Sequence, residues 1–243
     1  MKNSQPSHQP SISIVLPCYN PGEGWCSDLL RNMACLREKL PEHFIQFIIS
    51  NDGSTRLERH QLCMLTSFGN VVFLDNPRNE GKGSAIRKGA CRACGDIIIY
   101  TDLDFPFGTD AIVEMVSVFE NNPGCSFVYG NRSMEYFQKL PLKRKLFSKM
   151  LRITNRLTLS QKVADTQAGI KGLRKEILPI VQQVKTNTFV FEIELIHKLL
   201  REGIGIEKIE VCANPSIVFT DFNMKVLFRE AVNFTRIITA GLL

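Results

Sequence analysis

The chain has 243 residues, a hydrophobic content of 44% and a net charge of +6. This length suits one large domain, which buries enough apolar surface to fold without disulfides or a structural metal. Residues 1–10 lack an apolar core, and no stretch approaches ~18 uninterrupted apolar residues, so we expect neither a secretory signal peptide nor a membrane-spanning helix. The mildly basic charge is compatible with anionic substrates, a membrane surface or nucleic acid.

Apolar runs alternate with helix-like stretches through the first half of the chain. The predicted strands cover residues 12–16, 44–49, 71–74, 97–100 and 126–129, and the helices between them cover residues 25–40, 56–65, 83–94 and 109–121. This alternation predicts an α/β fold with a parallel sheet and crossover helices. Because the strands are almost continuously apolar, we expect helices on both faces of the sheet.

The second half of the chain is less regular. Leu142, Leu146, Met150, Ile153 and Leu157 recur at helical spacing. A loop with a short strand is predicted over residues 165–172, followed by a helix over 190–200, a strand over 206–211 and a final helix over 224–238.

The chain contains eight cysteines without a pattern that pairs them. Cys91 and Cys94 form a CxxC, but no second pair or nearby histidine completes a zinc set. We therefore interpret the cysteines as reduced packing residues of a cytosolic protein.

Polar residues follow the predicted strands where each strand ends. Tyr19, Asn20, Asp52, Asp102 and Asp104 are the main examples. Open α/β sheets bind ligands beyond the carboxyl ends of their strands. This coincidence is the first indication of a binding site.

Asp102 and Asp104 stand one residue apart where a strand becomes a loop. Two such carboxylates can reach one ion, and Mg²⁺ or Mn²⁺ prefers oxygen ligands and completes its shell with substrate phosphates. The alternative is a solvated loop, because the DxD pattern by itself is common.

A glycine-containing turn at residues 79–83 precedes the third predicted helix. Its glycines permit close approach of a ligand, and Lys82 or Arg87 could meet a phosphate. The turn matches neither the P-loop nor the GxGxxG pattern. Asp52 could bind a ribose or a base, or serve as a turn and helix cap.

Basic residues interleave with the apolar stripe over residues 139–158. They are Lys139, Lys143, Arg144, Lys145, Lys149, Arg152 and Arg156. A basic amphipathic helix can lie in a membrane interface or bind an anionic substrate, and the alternative is a helix that packs its stripe on the core. Glu192 and Glu194 lie two apart on a predicted helix, so we expect one to face a site and the other solvent.

Taken in order, these segments resemble the family 2 glycosyltransferases with a GT-A fold. The branch that they resemble includes dolichyl-phosphate mannose synthase and polyprenyl-phosphate glycosyltransferases. The matching runs are IVLPCYN, NDGST, NEGKGSAIRKG, TDLD, YGNR, DTQAG and FEIELIHKL, over residues 12 to about 200.

The resemblance implies a division of the chain. Residues 1–10 would be a polar tail, and 11–221 the GT-A domain, a mostly parallel Rossmann-like sheet flanked by helices with a C-terminal acceptor-side helical region. Within it, 11–130 would be the nucleotide-sugar half and 131–221 the acceptor half. Residues 222–243 would be a C-terminal amphipathic helix.

The resemblance also implies roles for individual residues. The implied nucleotide-sugar ligands are Pro17, Tyr19, Asn20, Asp52, Lys82, Arg87 and Asp102. The implied acceptor or phosphate ligands are Arg132, Arg144, Lys149 and Gln167. Asp102 and Asp104 would hold Mg²⁺ or Mn²⁺, and Asp104 and Asp165 would be catalytic. Phe105 departs from the pattern, since mannose synthases carry a Gln near the metal there.

We expect an inverting transfer of a hexose from GDP-mannose or a UDP-hexose to a polyprenyl or dolichyl phosphate. Such an acceptor is largely ionised, with a second phosphate pKa near ~6, so it needs positioning rather than a strong base. The chain would then work at the cytoplasmic membrane face, touching the bilayer through 139–158, with a membrane subunit as a candidate partner.

Other functions fit the same residues. The first alternative is a cell-envelope polysaccharide glycosyltransferase acting on a sugar hydroxyl, with Asp165 as base. A nucleotidyltransferase and a degenerate nucleotide-binding subunit are further alternatives. We expect no nucleic-acid partner, because the basic residues show no aromatic interleaving for base stacking.

Overall fold

The computed structural model describes residues 10–133, 165, 168–188, 190–212 and 214. The strands in these ranges are β1 (Ile12–Cys18), β2 (Ile45–Asp52), β3 (Val71–Asn76), β4 (Ile97–Thr101), β5 (Phe127–Arg132), β6 (Ile170–Arg174) and β7 (Ile206–Val211). The helices are α1 (Trp25–Lys39), α2 (Arg59–Ser67), α3 (Lys82–Ala90), α4 (Asp110–Asn121), α5 (Leu178–Gln182) and α6 (Phe191–Arg201), with a 3₁₀ turn at Lys175–Ile177.

All seven strands form a single mixed sheet in the order β3-β2-β1-β4-β6-β5-β7. The pairs β2–β3, β1–β2, β1–β4 and β5–β7 are parallel. Strand β6 is antiparallel to β4 on one side and to β5 on the other. The expected α/β fold with a mostly parallel sheet is confirmed, and β6, from the later part of the chain, lies between β4 and β5.

Burial follows the position of each strand in the sheet. Every residue of the interior strand β2 is buried, whereas β3 and β7 at the ends of the order are partly exposed. The β7 residues alternate between buried and exposed after Glu207, as expected of an edge strand with one covered face.

Successive side chains of a strand point to opposite sides of the sheet, so the apolar strands give the sheet two apolar faces. Helices cover both of these faces. On one face Ile14, Leu16 and Phe47 belong to a core that includes Met33 of α1 and Phe119 of α4. On the other face a second core is formed by residues of β1, β2, β4, β5, α3 and α6, among them Val15, Ile48, Ile98, Phe127, Ile86 and Leu195.

Several element boundaries differ from the prediction for local reasons. Helix α2 begins at Arg59 rather than at residue 56. Glu58 precedes its first residue, and Glu58 N donates a hydrogen bond to Gln61 Oε1 at 3.4 Å. Helix α3 ends at Ala90 rather than at residue 94, because Gln46 Oε1 binds the amide of Cys94 at 3.0 Å and turns the chain toward β4. The predicted helices over 142–157 and 224–238 lie outside the described residues.

Candidate functional site

A cleft of about 620 Å³ opens where β1, β2 and β4 end and α3 begins. It is lined by Pro17, Cys18, Tyr19, Asp52, Asn79, Glu80, Gly81, Lys82, Ala85, Asp102 and Thr188. Five of the residues predicted to bind a nucleotide-sugar therefore lie around one cavity. Their assembly follows from the parallel pairing of β1 with β2 and β4, which places the carboxyl ends of these strands at one edge.

Asp52, at the end of β2, organises the turn that leads into α3. Its two carboxylate oxygens accept hydrogen bonds from Glu80 N at 2.9 Å and Gly81 N at 2.8 Å. Gly81 has a φ of 105°, and a Cβ there would lie 2.4 Å from Asn187 O. The carboxylate of Asp52 therefore shapes one wall of the cleft. This contact corresponds to the turn and helix cap that the sequence predicted as the alternative to ligand binding.

Lys82 and Asp102 form an ion pair at the floor of the cleft, between Nζ and Oδ1. The side chains of Lys82 and Asp102 are 22% and 39% exposed, so both remain reachable from solvent. Burial lowers the pKa of Lys82, but the negative charges of Asp102, Glu192 and Asp104 outweigh it and raise that pKa. Lys82 is therefore a stable cation beside the DxD carboxylates.

Asp104 lies two residues beyond Asp102, in the turn that follows β4. Partial burial of its carboxyl raises the pKa of Asp104, and the negative charge of Asp102 adds to the effect. The described residues contain no group of three or more His, Cys, Asp or Glu that could hold a metal by itself. The two carboxylates fit a Mg²⁺ or Mn²⁺ ion that takes its remaining ligands from substrate phosphates and water.

Phe105 is directed away from this carboxylate pair and is 1% exposed within the apolar core. Its φ is 48°, in the left-handed region that bulky residues rarely adopt. Phe105 N donates to Asp102 O at 3.0 Å, which closes the turn after β4. Phe105, which stands where the mannose synthases have a Gln, therefore anchors the DxD turn in the core and supplies no group to a metal.

Tyr19 and Asn20 follow β1 but differ in their surroundings. Tyr19 is 55% exposed and lines the cleft. Asn20 Oδ1 accepts a hydrogen bond from Thr55 N at 3.0 Å, and Asn20 N donates to Ser54 Oγ at 2.8 Å. Asn20 thus ties the loops after β1 and β2 together, and it is absent from the residues that line the cleft.

Arg87 of α3 also makes contacts within the protein. Its guanidinium donates to Thr186 O at 2.7 Å and to Asn187 Oδ1. Glu194, fully buried in α6, holds the same loop by accepting hydrogen bonds from Lys185 N and Thr186 N, both at 3.0 Å. Arg87 therefore fixes the loop that carries Thr188 to the cleft.

The expectation that one of Glu192 and Glu194 faces solvent is wrong. Glu192 is also buried, in the first turn of α6, and its Oε1 lies 2.7 Å from Lys171 Nζ. The loop of residues 184–188 and strand β6 pack over this end of α6, so both carboxylates face protein. The periodicity of a helix gives the direction of a side chain but not what covers it.

Arg132 and Asp165 form a buried ion pair, with side chains 10% and 3% exposed. Arg132 Nε and Nη2 donate to the two Asp165 oxygens at 2.6 and 2.8 Å, and Arg132 N donates at 3.2 Å. Both residues were predicted on the acceptor side. Three donors from one residue occupy the Asp165 carboxylate, which makes a proton transfer from a substrate difficult for it.

The remaining predicted site residues lie outside the described residues. They are Arg144, Lys149 and Gln167, together with the basic segment 139–158. Their roles stay predictions.

Two residues that shape the site were not singled out in the sequence. Lys171 is a fully buried lysine inside β6, and Thr188 lines the cleft. The signal for Lys171 was available, since a charged residue stands between apolar residues in the strand sequence IKGLR. Thr188 carried no such signal, because its approach to the cleft depends on Arg87 and Glu194.

The structure pairs none of the eight cysteines. Cys18, Cys26 and Cys125 are buried and pack in the core. The interpretation as packing residues is wrong for the exposed cysteines, which are Cys63, Cys91, Cys94 and Cys212. Among the helices that the structure describes, none is long and apolar enough to cross a bilayer.

The chain is similar to a known protein family and to several known proteins. The family model described as "Glycosyl transferase family 2" matches residues 13–179. The poly-beta-1,6-N-acetyl-D-glucosamine synthase of Staphylococcus aureus (strain COL) is 30% identical over 120 residues, which cover 49% of this chain and 28% of that protein. The dolichol-phosphate mannosyltransferase of Pyrococcus furiosus is 24% identical over 204 residues, which cover 82% of this chain and 55% of that protein. The chain thus spans between about a quarter and about half of these relatives.

Solved structures show the same fold. The glucosyl-3-phosphoglycerate synthase of Mycobacterium tuberculosis in complex with phosphoglyceric acid aligns with a TM-score of 0.67 and 18% identity, over 90% of this chain and 75% of that chain. The same enzyme with Mn²⁺, UDP and glucosyl-3-phosphoglycerate aligns with a TM-score of 0.63 and 19% identity. At these identities the likeness shows the GT-A-like fold.

Proposed function

The chain belongs to glycosyl transferase family 2, and from this membership we propose that it transfers one hexose from a nucleotide-sugar to a polyprenyl or dolichyl phosphate. The observation that carries the proposal is the cleft at the carboxyl ends of β1, β2 and β4, with Lys82, Asp102 and Asp104 at its floor. GDP-mannose and a UDP-hexose are the candidate donors.

The cleft offers separate surfaces for the parts of a donor. Tyr19 presents an exposed ring beside Pro17, which suits stacking on a base. Asp102 and Asp104 would hold Mg²⁺ or Mn²⁺, which neutralises the charge of a departing diphosphate. Lys82 adds a fixed positive charge at the same place. The glucosyl-3-phosphoglycerate synthase of M. tuberculosis, crystallised with Mn²⁺ and UDP, supports this use of the fold.

The contacts of Asp165 bear on the choice of acceptor. A sugar hydroxyl needs a general base, but the candidate base Asp165 is held by Arg132 in a buried bidentate pair. A phosphate monoester is already largely ionised near neutral pH, with a second pKa near ~6, so it needs positioning alone. The P. furiosus mannosyltransferase, whose similarity extends over 82% of this chain, supports the lipid-phosphate acceptor.

A cell-envelope polysaccharide glycosyltransferase is the second candidate function. The similarity to the staphylococcal poly-beta-1,6-N-acetyl-D-glucosamine synthase favours it. This enzyme would act on a sugar hydroxyl and would require a base other than the paired Asp165, or opening of the pair. Identification of the product separates the two functions, since only the first yields a phosphate-linked sugar.

The donor site is tested by thermal unfolding of the wild type and of Asp104→Ala with UDP or GDP, each with and without Mn²⁺. We expect one nucleotide to raise the Tm in a Mn²⁺-dependent manner, and we expect the variant to lose that increase because it lacks a ligand. Asp110→Ala is a matched control, because this exposed aspartate lies on α4 and pairs with Lys39. Absence of a shift with either nucleotide in the wild type would contradict the proposal and favour a degenerate nucleotide-binding subunit.

The attachment to a membrane is part of the same proposal. The basic segment 139–158 would contact the cytoplasmic face of the membrane, where the lipid acceptor is presented, and a membrane subunit is a candidate partner. Sedimentation with anionic lipid vesicles, compared between the wild type and a variant with Lys145 and Lys149 changed to Gln, measures that contact.

A further inference from the structure

A buried ion pair lies near Asp102 and Lys82 but outside the residues that line the cleft. Lys171 is fully buried in β6, in register with Tyr100 of β4, and Glu192 is buried at the start of α6. Lys171 Nζ and Glu192 Oε1 are 2.7 Å apart. Desolvation of two charges commonly cancels their attraction, so that apolar residues of similar volume are often as stable. Stability alone therefore gives no reason for charged residues at these positions.

The contacts of Lys171 lead to the DxD aspartate. Lys171 Nζ also donates to Ala168 O, which fixes the bend that enters β6. The next residue, Gly169, lies against Asp102, because a Cβ at Gly169 would be 2.3 Å from Asp102 Oδ2. The other oxygen, Asp102 Oδ1, contacts Lys82. The Asp102 carboxylate is thus held between the bend and Lys82.

Glu192 lies close to both lysines of this arrangement. Its carboxylate contacts Lys171, which fixes the bend behind Asp102. Its negative charge also attracts that of Lys82, which contacts Asp102 itself.

We propose that Lys171 and Glu192 are positioning residues that orient Asp102 for the divalent cation, by fixing the bend at Ala168 and Gly169 against its carboxylate. Lys171 holds the bend and Glu192 holds Lys171. Neither residue lines the cleft. The inference rests on the proposed function, because it requires Asp102 to serve the cation of the donor site.

Two variants test the inference from independent directions. The double variant Lys171→Met/Glu192→Leu replaces the pair with apolar side chains of similar size and leaves no buried unpaired charge. Gly169→Ala leaves the pair intact but places a methyl group against Asp102 Oδ2. Gly124→Ala is the matched control, because Gly124 lies in the turn between α4 and β5. A Cβ there meets only Asn122 Oδ1, at an ordinary contact distance of 3.5 Å.

The measurement is the Mn²⁺ concentration that gives half of the nucleotide-induced increase in Tm, at a fixed concentration of the nucleotide that the wild type binds. For both variants we expect this concentration to rise about tenfold, which is the usual effect of losing a group that supports a metal ligand. The Tm without ligand should stay near that of the wild type for the double variant, and the control should match the wild type throughout.

The outcomes separate this inference from the function on which it rests. Wild-type Mn²⁺ dependence in both variants would overturn the positioning role while leaving the donor site intact. If the double variant fails to fold, Gly169→Ala decides by the same readout. A wild-type protein without any Mn²⁺-dependent shift would overturn the proposed function and this inference with it.

Discussion

Replacing Asp165 with Asn is expected to destabilise the fold strongly, because Asp165 and Arg132 form a buried pair. The two side chains are 3% and 10% exposed, and Arg132 donates through Nε and Nη2 at 2.6 and 2.8 Å. Removing one charge of a buried pair costs about 3–5 kcal/mol, because the other is left uncompensated. Asn retains one acceptor oxygen, which places the expected loss at the lower end, about 3 kcal/mol.

This loss translates into a change that calorimetry measures directly. In a protein of this size 1 kcal/mol corresponds to about 2–4 °C, so the Tm of Asp165→Asn should fall by about 6–12 °C. Transfer activity should be measured well below the Tm of the variant. If Asp165 stabilises the fold and takes no proton from the acceptor, the folded Asp165→Asn variant keeps a substantial part of the wild-type kcat.

Two controls make the result interpretable. Asp28→Asn removes a carboxylate from an exposed pair with Arg31, with side chains 60% and 77% exposed, and should change stability by less than about 0.5 kcal/mol. The double variant Arg132→Met/Asp165→Leu removes both buried charges and should regain most of the lost Tm. An Asp165→Asn protein with a wild-type Tm and no transfer would refute this reasoning and restore Asp165 as the base.

Two further predictions concern the walls of the cleft. Gly81→Ala should weaken nucleotide binding and lower the Tm, because the new Cβ would lie 2.4 Å from Asn187 O and because its φ of 105° and ψ of 157° lie in a region that only glycine adopts readily. Gly203→Ala, at a φ of 68° and without any neighbour within 4 Å, should lose only about 1 kcal/mol. Equal effects of the two alanines would contradict this reasoning. Burial raises the pKa of the Cys18 thiol from 9.0 to about 11, so above pH 9 the unfolded chain loses a proton that the folded chain keeps. Stability should therefore fall as the pH rises from 9 to 11, by about 2 kcal/mol at pH 10.5 from this thiol, and urea unfolding should show a smaller fall in Cys18→Ala.

The position of the cleft could be predicted because it depends on local pattern. Apolar runs separated by helices imply parallel strands, and parallel strands place their following residues at one edge. Asp52, Lys82 and Asp102 meet there as expected. The hydrogen-bond partners of these residues could not be predicted from local pattern. The Asp52 carboxylate, for example, accepts hydrogen bonds from the backbone amides of residues 80 and 81, which lie far from it in the chain.

Other predicted ligand residues turn out to have contacts within the protein. Asn20 forms hydrogen bonds with Ser54 and Thr55, and Arg87 forms one with Thr186 in the loop of residues 184–188. A motif states which residue types occur at a spacing, but the same polar side chains can bind a ligand or join two loops. Their roles toward a ligand therefore stay predictions, whereas their roles in shaping the cleft are visible.

The sequence by itself determined the alternation of strands and helices, the cleft at the strand ends and the family to which the chain belongs, because each rests on short-range periodicity and on motifs in order. Only the tertiary structure decided that β6 runs antiparallel between β4 and β5. That insertion brings Lys171 into contact with Glu192 and Gly169 against Asp102. The physical reason is that strand order and the partners of buried charges are set by contacts between residues far apart in the chain, which no local pattern records.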